Sequence, residues 1–158
     1  MCIRDSVSTA GNSVTRNAGG RVVAATTKRV VVDMREFMSN LPCVLHRDGF
    51  ELAPVTLEIG DYILSPDICV ERKAVPDLIQ SLGSGRLYNQ AENMCKHYKV
   101  AALLVEFEQD KSFGLHSVAD MGSDISPNST TSRLALLVLH HPKLRIIWSR
   151  SLHATCDI

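Results

Sequence analysis

The sequence lacks the features that mark several large classes of protein. It has no apolar run of about 18 residues, the length that a membrane-spanning helix needs, so we expect a soluble protein. Its five cysteines are scattered and none forms a Cys-x-x-Cys pair, which argues against a disulfide framework or a zinc site and favours a reducing, intracellular compartment. The motifs of P-loop NTPases, α/β-hydrolases and zincins are also absent.

The chain has no net charge that would draw it to a polyanion. Its 17 basic and 17 acidic residues give a formal net charge of +0, so a basic surface for nucleic acid has to be local. The six histidines show no ligand-like spacing, and we interpret them as structural or surface residues. What is present, 158 residues with a hydrophobic content of 45%, is enough for one domain with a substantial core.

Residues 1–27 are predicted to be a disordered segment or linker. They are rich in Gly, Ser, Thr, Asn and Ala and show no hydrophobic periodicity. The arginines of this segment are either a basic arm that touches a polyanion or ordinary solvated charges. Residues 1–6, with the sequence MCIRDS, resemble the translated adapter of a sequencing library, so we treat them as an artificial start and leave them out of the fold.

From residue 28 onward, strand-like runs alternate with helical patterns. Two continuous apolar runs, Arg29–Asp33 and Val100–Phe107, predict strands buried on both faces, and Leu144–Trp148 is predicted to be a further strand. Helices are predicted over residues 37–46 and 76–82, from Arg86, over 132–140, and after a cap at Ser151. A long polar loop is predicted between the last two strands, over residues 108–128. The alternation predicts an α/β fold with a mixed central sheet flanked by helices.

The stretch from Val55 to Asp77 predicts a charged β-hairpin. Two runs rich in β-forming residues, 55–64 and 68–73, flank Ser65-Pro66-Asp67, which is typical of a tight turn. Once folded, this hairpin is expected to gather more charge into a small space than any other part of the chain.

Pairing across this hairpin brings like charges together. Asp61 lies opposite either Arg72 or Glu71, depending on a one-residue shift in register, and is close to Glu71 in both cases. Alternation along the strand puts Lys73 on the same face as Glu71 and turns Arg72 away, so that its side chain either packs structurally or forms an ion pair behind the site. Two carboxylates about 4 Å apart repel by roughly 4 kcal/mol at an effective dielectric of about 20. Either a divalent cation such as Mg²⁺ relieves this repulsion, or the hairpin is an ordinary surface element with solvated charges.

Asp33 is a second candidate acid. It stands at the carboxyl end of the first predicted strand, where the catalytic groups of open α/β sheets gather. It could equally cap the helix that follows.

Several separated motifs resemble the XPF family of structure-specific DNA endonucleases. Gly60-Asp61, Glu71-Arg72-Lys73 and Asp77 follow the pattern GD-x(n)-ERK-x(3)-D, which is the signature of that family. Asp33-Met34-Arg35-Glu36 and Gly85-Arg86-Leu87-Tyr88 also look like its nuclease domain.

The resemblance implies a restriction-endonuclease-like fold over residues 28–158. It implies a nuclease that depends on Mg²⁺ or Mn²⁺ and cuts DNA beside junctions of duplex and single strand, as in bubbles, splayed arms and 3′ flaps. It also implies a nuclear role in DNA repair, including nucleotide excision repair, with no membrane and no small-molecule substrate. Family members carry helix-hairpin-helix domains, which we expect to be missing from the sequence as given, and pair with a noncatalytic ERCC-type subunit. A noncatalytic scaffold that keeps the fold for dimerisation or DNA binding is the alternative.

The resemblance also assigns roles to residues. The metal ligands would be Asp33, Asp61 and Glu71. Lys73 would stabilise the developing negative charge or orient the attacking water. Supporting acids would be Glu58 and Asp77, and the arginines that hold DNA would be Arg35, Arg72 and Arg86.

Overall fold

The computed structural model describes residues 28–107 and 127–158, together with two short strands, β1 (Thr15–Arg16) and β2 (Val22–Val23). These two strands pair antiparallel. Both strands lie within residues 1–27, the segment predicted to be disordered or a linker. The rest of the predicted linker, residues 1–6 included, and residues 108–126 of the predicted loop lie outside the described residues.

A six-stranded mixed sheet forms the centre of the described domain. Its strands are β3 (Arg29–Asp33), β4 (Glu51–Val55), β5 (Tyr62–Ser65), β6 (Ile68–Ala74), β7 (Val100–Glu106) and β8 (Leu144–Ser149). They are arranged in the order β4-β3-β5-β6-β7-β8, and within this sheet only β5 runs antiparallel to its neighbours. The predicted mixed central sheet is confirmed.

Helices pack on both faces of the sheet. They are α1 (Leu41–Arg47), α2 (Val75–Gly83), α3 (Arg86–His97), α4 (Pro127–His140) and α5 (Leu152–Asp157), and a 3-10 turn covers Met34–Met38. One core joins α2, α3 and α4 to the sheet, and a second core involves α1 and α5. Leu103 and Leu104 of β7 are buried in opposite cores, which explains why the sequence of this strand is continuously apolar. None of the described helices is long and apolar enough to span a bilayer.

Three predicted boundaries are wrong. The run 55–64 is not one strand: Val55 ends β4, which pairs parallel with β3, and a loop precedes β5. β4 was missed because it is a largely exposed edge strand that contains Pro54, a residue typical of sheet edges. The helix predicted over 37–46 is divided into the 3-10 turn and α1, since Pro42 belongs to the first turn of α1. α4 begins at Pro127 rather than Ser132.

A bulge sets the register of the hairpin formed by β5 and β6. Next to the turn, Ser65 pairs with Ile68, but the pairing shifts by one residue between Ile63 and Ser65. Continued along the hairpin, the shifted register puts Asp61 opposite Glu71, and the backbone N–H of Asp61 donates to the carbonyl of the residue before Glu71 at 2.9 Å. Of the two registers that the sequence allowed, the structure has this one.

The backbone conformation just before Asp61 depends on Gly60. Its φ is +76°, a left-handed value that favours glycine. A Cβ at this position would overlap the Sγ of Cys69, which is fully buried in β6 beneath it. Burial raises the pKa of Cys69 to about 12, so the thiol stays neutral and acts as a packing group.

We expect Gly60→Ala to lower the free energy of unfolding by about 3 kcal/mol, because backbone strain and overlap with Cys69 add together. The matched control is Gly49→Ala. Gly49 has a φ of +88° but no atom within 4 Å of its added Cβ, so this change should cost only about 1 kcal/mol. Urea unfolding measures both, and Cys69→Ala should restore part of the stability lost in Gly60→Ala. Equal losses in the two glycine variants would contradict the steric explanation.

Candidate active site

A pocket of about 330 Å³ opens where the β5–β6 hairpin, the loop before β5 and helix α3 meet. Most of the predicted site residues line it: Arg35, Glu58, Asp61, Glu71, Arg72, Lys73 and Arg86. Asp33 and Asp77 are not among its lining residues. The hairpin and α3 thus bring together residues that are well separated in the sequence.

The centre of the pocket is the pair of acids with its lysine. Glu71 and Lys73 are 4% and 6% exposed, and the Lys73 Nζ donates to Oε1 of Glu71 at 2.8 Å. Asp61 Oδ2 accepts the backbone N–H of Arg72 at 2.8 Å, and within the described residues no lysine or arginine forms an ion pair with Asp61. Burial, followed by the charge of Glu71, raises the pKa of Asp61 to about 7. The pair therefore has more negative charge than Lys73 alone balances.

Asp33 is held in a different way. Its fully buried carboxylate accepts the Arg35 backbone N–H at 2.8 Å, the Arg35 side chain at 2.7 and 3.0 Å, and the Leu57 N–H at 2.8 Å. The side-chain hydrogen bonds of Arg35 hold the pKa of Asp33 far below its ordinary range, against the opposing effect of burial. Asp33 caps the 3-10 turn, so the capping interpretation is confirmed. A metal-binding role for Asp33 stays a prediction. It requires that a bond to the metal ion replace at least one of these hydrogen bonds.

The remaining predicted residues lie at the edge of the site or away from it. Glu58 and Arg86 are exposed lining residues that come from different sides of the pocket. The side chain of Arg35 is 74% exposed even though it pairs with Asp33. Asp77 is exposed in the first turn of α2, where a negative charge favours the helix dipole.

The side chain of Arg72 points away from the pocket into an ion-pair network. Its guanidinium binds both oxygens of Glu106 at 3.0 Å and lies 3.5 Å from Glu36. Thr155 of α5 donates to Glu106 at 3.1 Å. The predicted ion pair behind the site is therefore present, and a DNA-binding role for the Arg72 side chain stays a prediction. The backbone N–H of Arg72 still contributes to the site through its bond to Asp61.

Gln90 of α3 was missed by the sequence analysis. Its Nε2 donates to Oε1 of Glu71, and its own Oε1 is buried without a hydrogen-bond partner among the described residues. The signal in the sequence was the spacing of Arg86, Gln90 and Asn93, which places three polar residues on one face of α3, all lining the pocket.

The donor atoms fit a hydrated divalent cation better than a closed metal centre. In residues 28–107 and 127–158, no three His, Cys, Asp or Glu side chains converge closely enough to hold a metal ion by themselves. Mg²⁺ typically uses one or two carboxylates and keeps several waters. Asp61 lacks a cationic partner and Oε2 of Glu71 accepts no hydrogen bond from the described residues, so both have oxygens available. These residues fit Mg²⁺ or Mn²⁺.

The sheet and the helices around it define the class of the protein, a domain with a restriction-endonuclease-like fold. XPF from Aeropyrum pernix, solved in complex with DNA, superposes with a TM-score of 0.69 at 31% sequence identity, covering 82% of this chain and 60% of that chain. The chain belongs to the ERCC4 domain family, whose model matches residues 32–158. The resemblance inferred from the motifs is thereby confirmed.

Relatives from distant eukaryotes agree with this assignment. The chain is 58% identical to DNA repair endonuclease UVH1 of Arabidopsis thaliana over 147 residues, which are 93% of this chain and 15% of that protein. It is 48% identical to DNA repair endonuclease XPF of Cricetulus griseus over 155 residues, which are 98% of this chain and 17% of that protein. The chain therefore spans less than a fifth of the length of these relatives.

The raised pKa of Asp61 predicts that the metal-free protein loses stability as the pH rises. Between the ordinary pKa of 3.8 and the folded value of about 7, the folded state binds more protons than the unfolded state. The free energy of unfolding in EDTA should therefore fall by about 2 kcal/mol from about pH 5 to pH 8. Asp61→Asn should remove most of this fall in urea titrations. Asp67→Asn, at the exposed turn of the same hairpin, is the control and should keep it. Identical pH profiles for Asp61→Asn and wild type would contradict the assignment.

Proposed function

We propose that this chain is a Mg²⁺- or Mn²⁺-dependent endonuclease module that hydrolyses DNA phosphodiester bonds beside junctions of duplex and single strand, such as bubbles, splayed arms and 3′ flaps. The observation that carries the proposal is the buried contact of Lys73 with Glu71 beside an unneutralised Asp61 in one open pocket. The names of the relatives, DNA repair endonucleases and an XPF bound to DNA, support the reaction and the substrate class.

Asp61 and Glu71 would hold the cation, with the backbone carbonyl of Arg72 as a further oxygen donor. The bound cation would polarise a phosphoryl oxygen and lower the pKa of a water molecule. The protein supplies the fixed positions of both carboxylates, because the Arg72 N–H holds Asp61 and the Lys73 ammonium holds Glu71. With a pKa of about 7, Asp61 retains a proton for part of the time at neutral pH when no cation competes for the site.

Lys73 would act directly on the phosphate. Its ammonium is almost fully buried and is oriented by Glu71, so its charge is fixed before substrate arrives. The phosphate gains negative charge as the transition state forms, and a fixed positive charge then stabilises the transition state more than the ground state. Such electrostatic groups contribute about 10²–10³ in rate.

Arg35 and Arg86 would hold the DNA backbone at the rim of the pocket. Both side chains are exposed. The Arg86 guanidinium can bind a phosphate with two parallel hydrogen bonds, whereas Nε and Nη2 of Arg35 donate to Asp33 and leave Nη1 for the phosphate. The net charge of +0 supports modest affinity for the module itself. The noncatalytic ERCC-type partner, the nuclear location and the repair role expected from the resemblance are part of this proposal.

A cleavage assay tests the function. We expect wild type to cut a labelled splayed-arm DNA when Mg²⁺ or Mn²⁺ is present and to be inactive in EDTA. Asp61→Ala and Glu71→Gln should each lower the rate at least about 100-fold, because each removes a carboxylate from the proposed cation site. Asp67→Asn changes an acid at the distant turn of the same hairpin and should keep the wild-type rate.

The noncatalytic scaffold predicts a different result. In that case wild type binds the same DNA but stays inert even at high protein concentration with Mn²⁺. Thermal unfolding adds a test that does not depend on activity. Mn²⁺ should raise the melting temperature of wild type but not that of Glu71→Ala, and no shift in either protein would count against a cation site.

A further inference from the structure

We propose that Gln90 is a positioning residue that directs one oxygen of Glu71 towards the cation and supplies an acceptor for a water bound to that cation. This inference rests on the proposed function, because it concerns the same cation site. It gives a role to a residue of α3 that lies on the side of the helix facing the pocket and is not part of the hydrophobic core.

The two donors that reach Glu71 converge on the same oxygen. Both Lys73 Nζ and Gln90 Nε2 donate to Oε1. No described residue donates to Oε2, even though the Glu71 side chain is buried. The carboxylate is therefore held by one oxygen while the other stays available as a ligand. With Lys73 alone, the ammonium could bind either oxygen, since it is a point charge on a flexible stem.

The orientation of the Gln90 amide follows from this contact. An ionised carboxylate only accepts hydrogen bonds, so the amide nitrogen has to face Glu71 and the amide oxygen has to point elsewhere. That oxygen is buried and has no partner among the described residues, although Gln90 lines the pocket. A buried acceptor of this kind requires a donor, and a water molecule in the pocket is the donor that the site can provide.

The position of Gln90 is fixed by the packing of α3. Leu87, Ala91 and Met94 of this helix are 2%, 1% and 2% exposed and anchor it in the core. Gln90 lies between these anchors in the sequence, on the side that faces the pocket. Its amide can therefore restrain Glu71 without rearrangement of the helix. Ligands of metals are commonly oriented by such partners, whose removal weakens metal affinity by about 10–100-fold.

The experiment measures Mn²⁺ binding by electron paramagnetic resonance, from the loss of the free-ion signal in DNA-free protein. Gln90→Met keeps the length of the side chain and removes both polar atoms. Gln80→Met makes the same change at an exposed position of the neighbouring helix α2 and is the matched control. Glu71→Gln removes the proposed ligand itself. All proteins are measured below their melting temperatures, which circular dichroism in EDTA establishes.

We expect Gln90→Met to raise the Kd for Mn²⁺ about 10-fold or more, while Gln80→Met leaves it unchanged and Glu71→Gln abolishes binding. A high Mn²⁺ concentration should restore cleavage by Gln90→Met but not by Glu71→Gln. If Gln90 only stabilised the fold, a high Mn²⁺ concentration would not restore cleavage by Gln90→Met. An unchanged Kd in Gln90→Met, with binding lost in Glu71→Gln, overturns this inference and leaves the proposed function intact. If wild type and Glu71→Gln both fail to bind Mn²⁺, the proposed cation site and this inference fail together.

Discussion

Repulsion between Asp61 and Glu71 is the interaction on which the rest of the site depends. The hairpin forces it, since the bulge between Ile63 and Ser65 places the two acids opposite each other. Hydrogen bonds then hold Asp61 in place: its backbone pairs with Val70 and Asp33, and its carboxylate accepts the backbone N–H of Arg72. A fold that only had to be stable would separate these charges, because one lysine cannot balance both. The repulsion therefore favours a positive charge close to both carboxylates.

The surroundings of the acids explain how the domain tolerates them. On the pocket side, Lys73 offsets part of the charge of Glu71. On the opposite face of β6, Arg72 joins Glu106 of β7 and so ties the hairpin to the centre of the sheet. Partly buried ion pairs of this kind are costly to break, because the remaining partner is left without a counter-charge. Alternation along β6 thus places Glu71 and Lys73 on the face of the strand that lines the pocket and the Arg72 side chain on the opposite face, where it stabilises the sheet.

The sequence allowed prediction of whatever depended on local pattern. Strand parity was enough to group Asp61 with Glu71 and Lys73 and to turn the side chain of Arg72 away, and continuous apolar runs identified the buried strands. Features that depend on tertiary contacts could not be predicted from the sequence. The exposed strand β4 has no strong apolar pattern, and Gln90 resembles any surface residue of a helix until α3 packs beside Glu71. Asp33 could be a ligand or a cap from sequence, and only the position of Arg35 shows that it caps.

The antiparallel strand β5 has a consequence for how the domain folds. β5 and β6 are joined by a tight turn, so Asp61 and Glu71 meet through a contact that is short in sequence. The pairing of β3 with β5 has to close a much longer loop that includes α1 and β4. Local contacts generally form before distant ones, because they cost less chain entropy. The contact between these two acids thus arises early in folding, so we expect the folding rate of this chain to depend on pH in the range where Asp61 ionises.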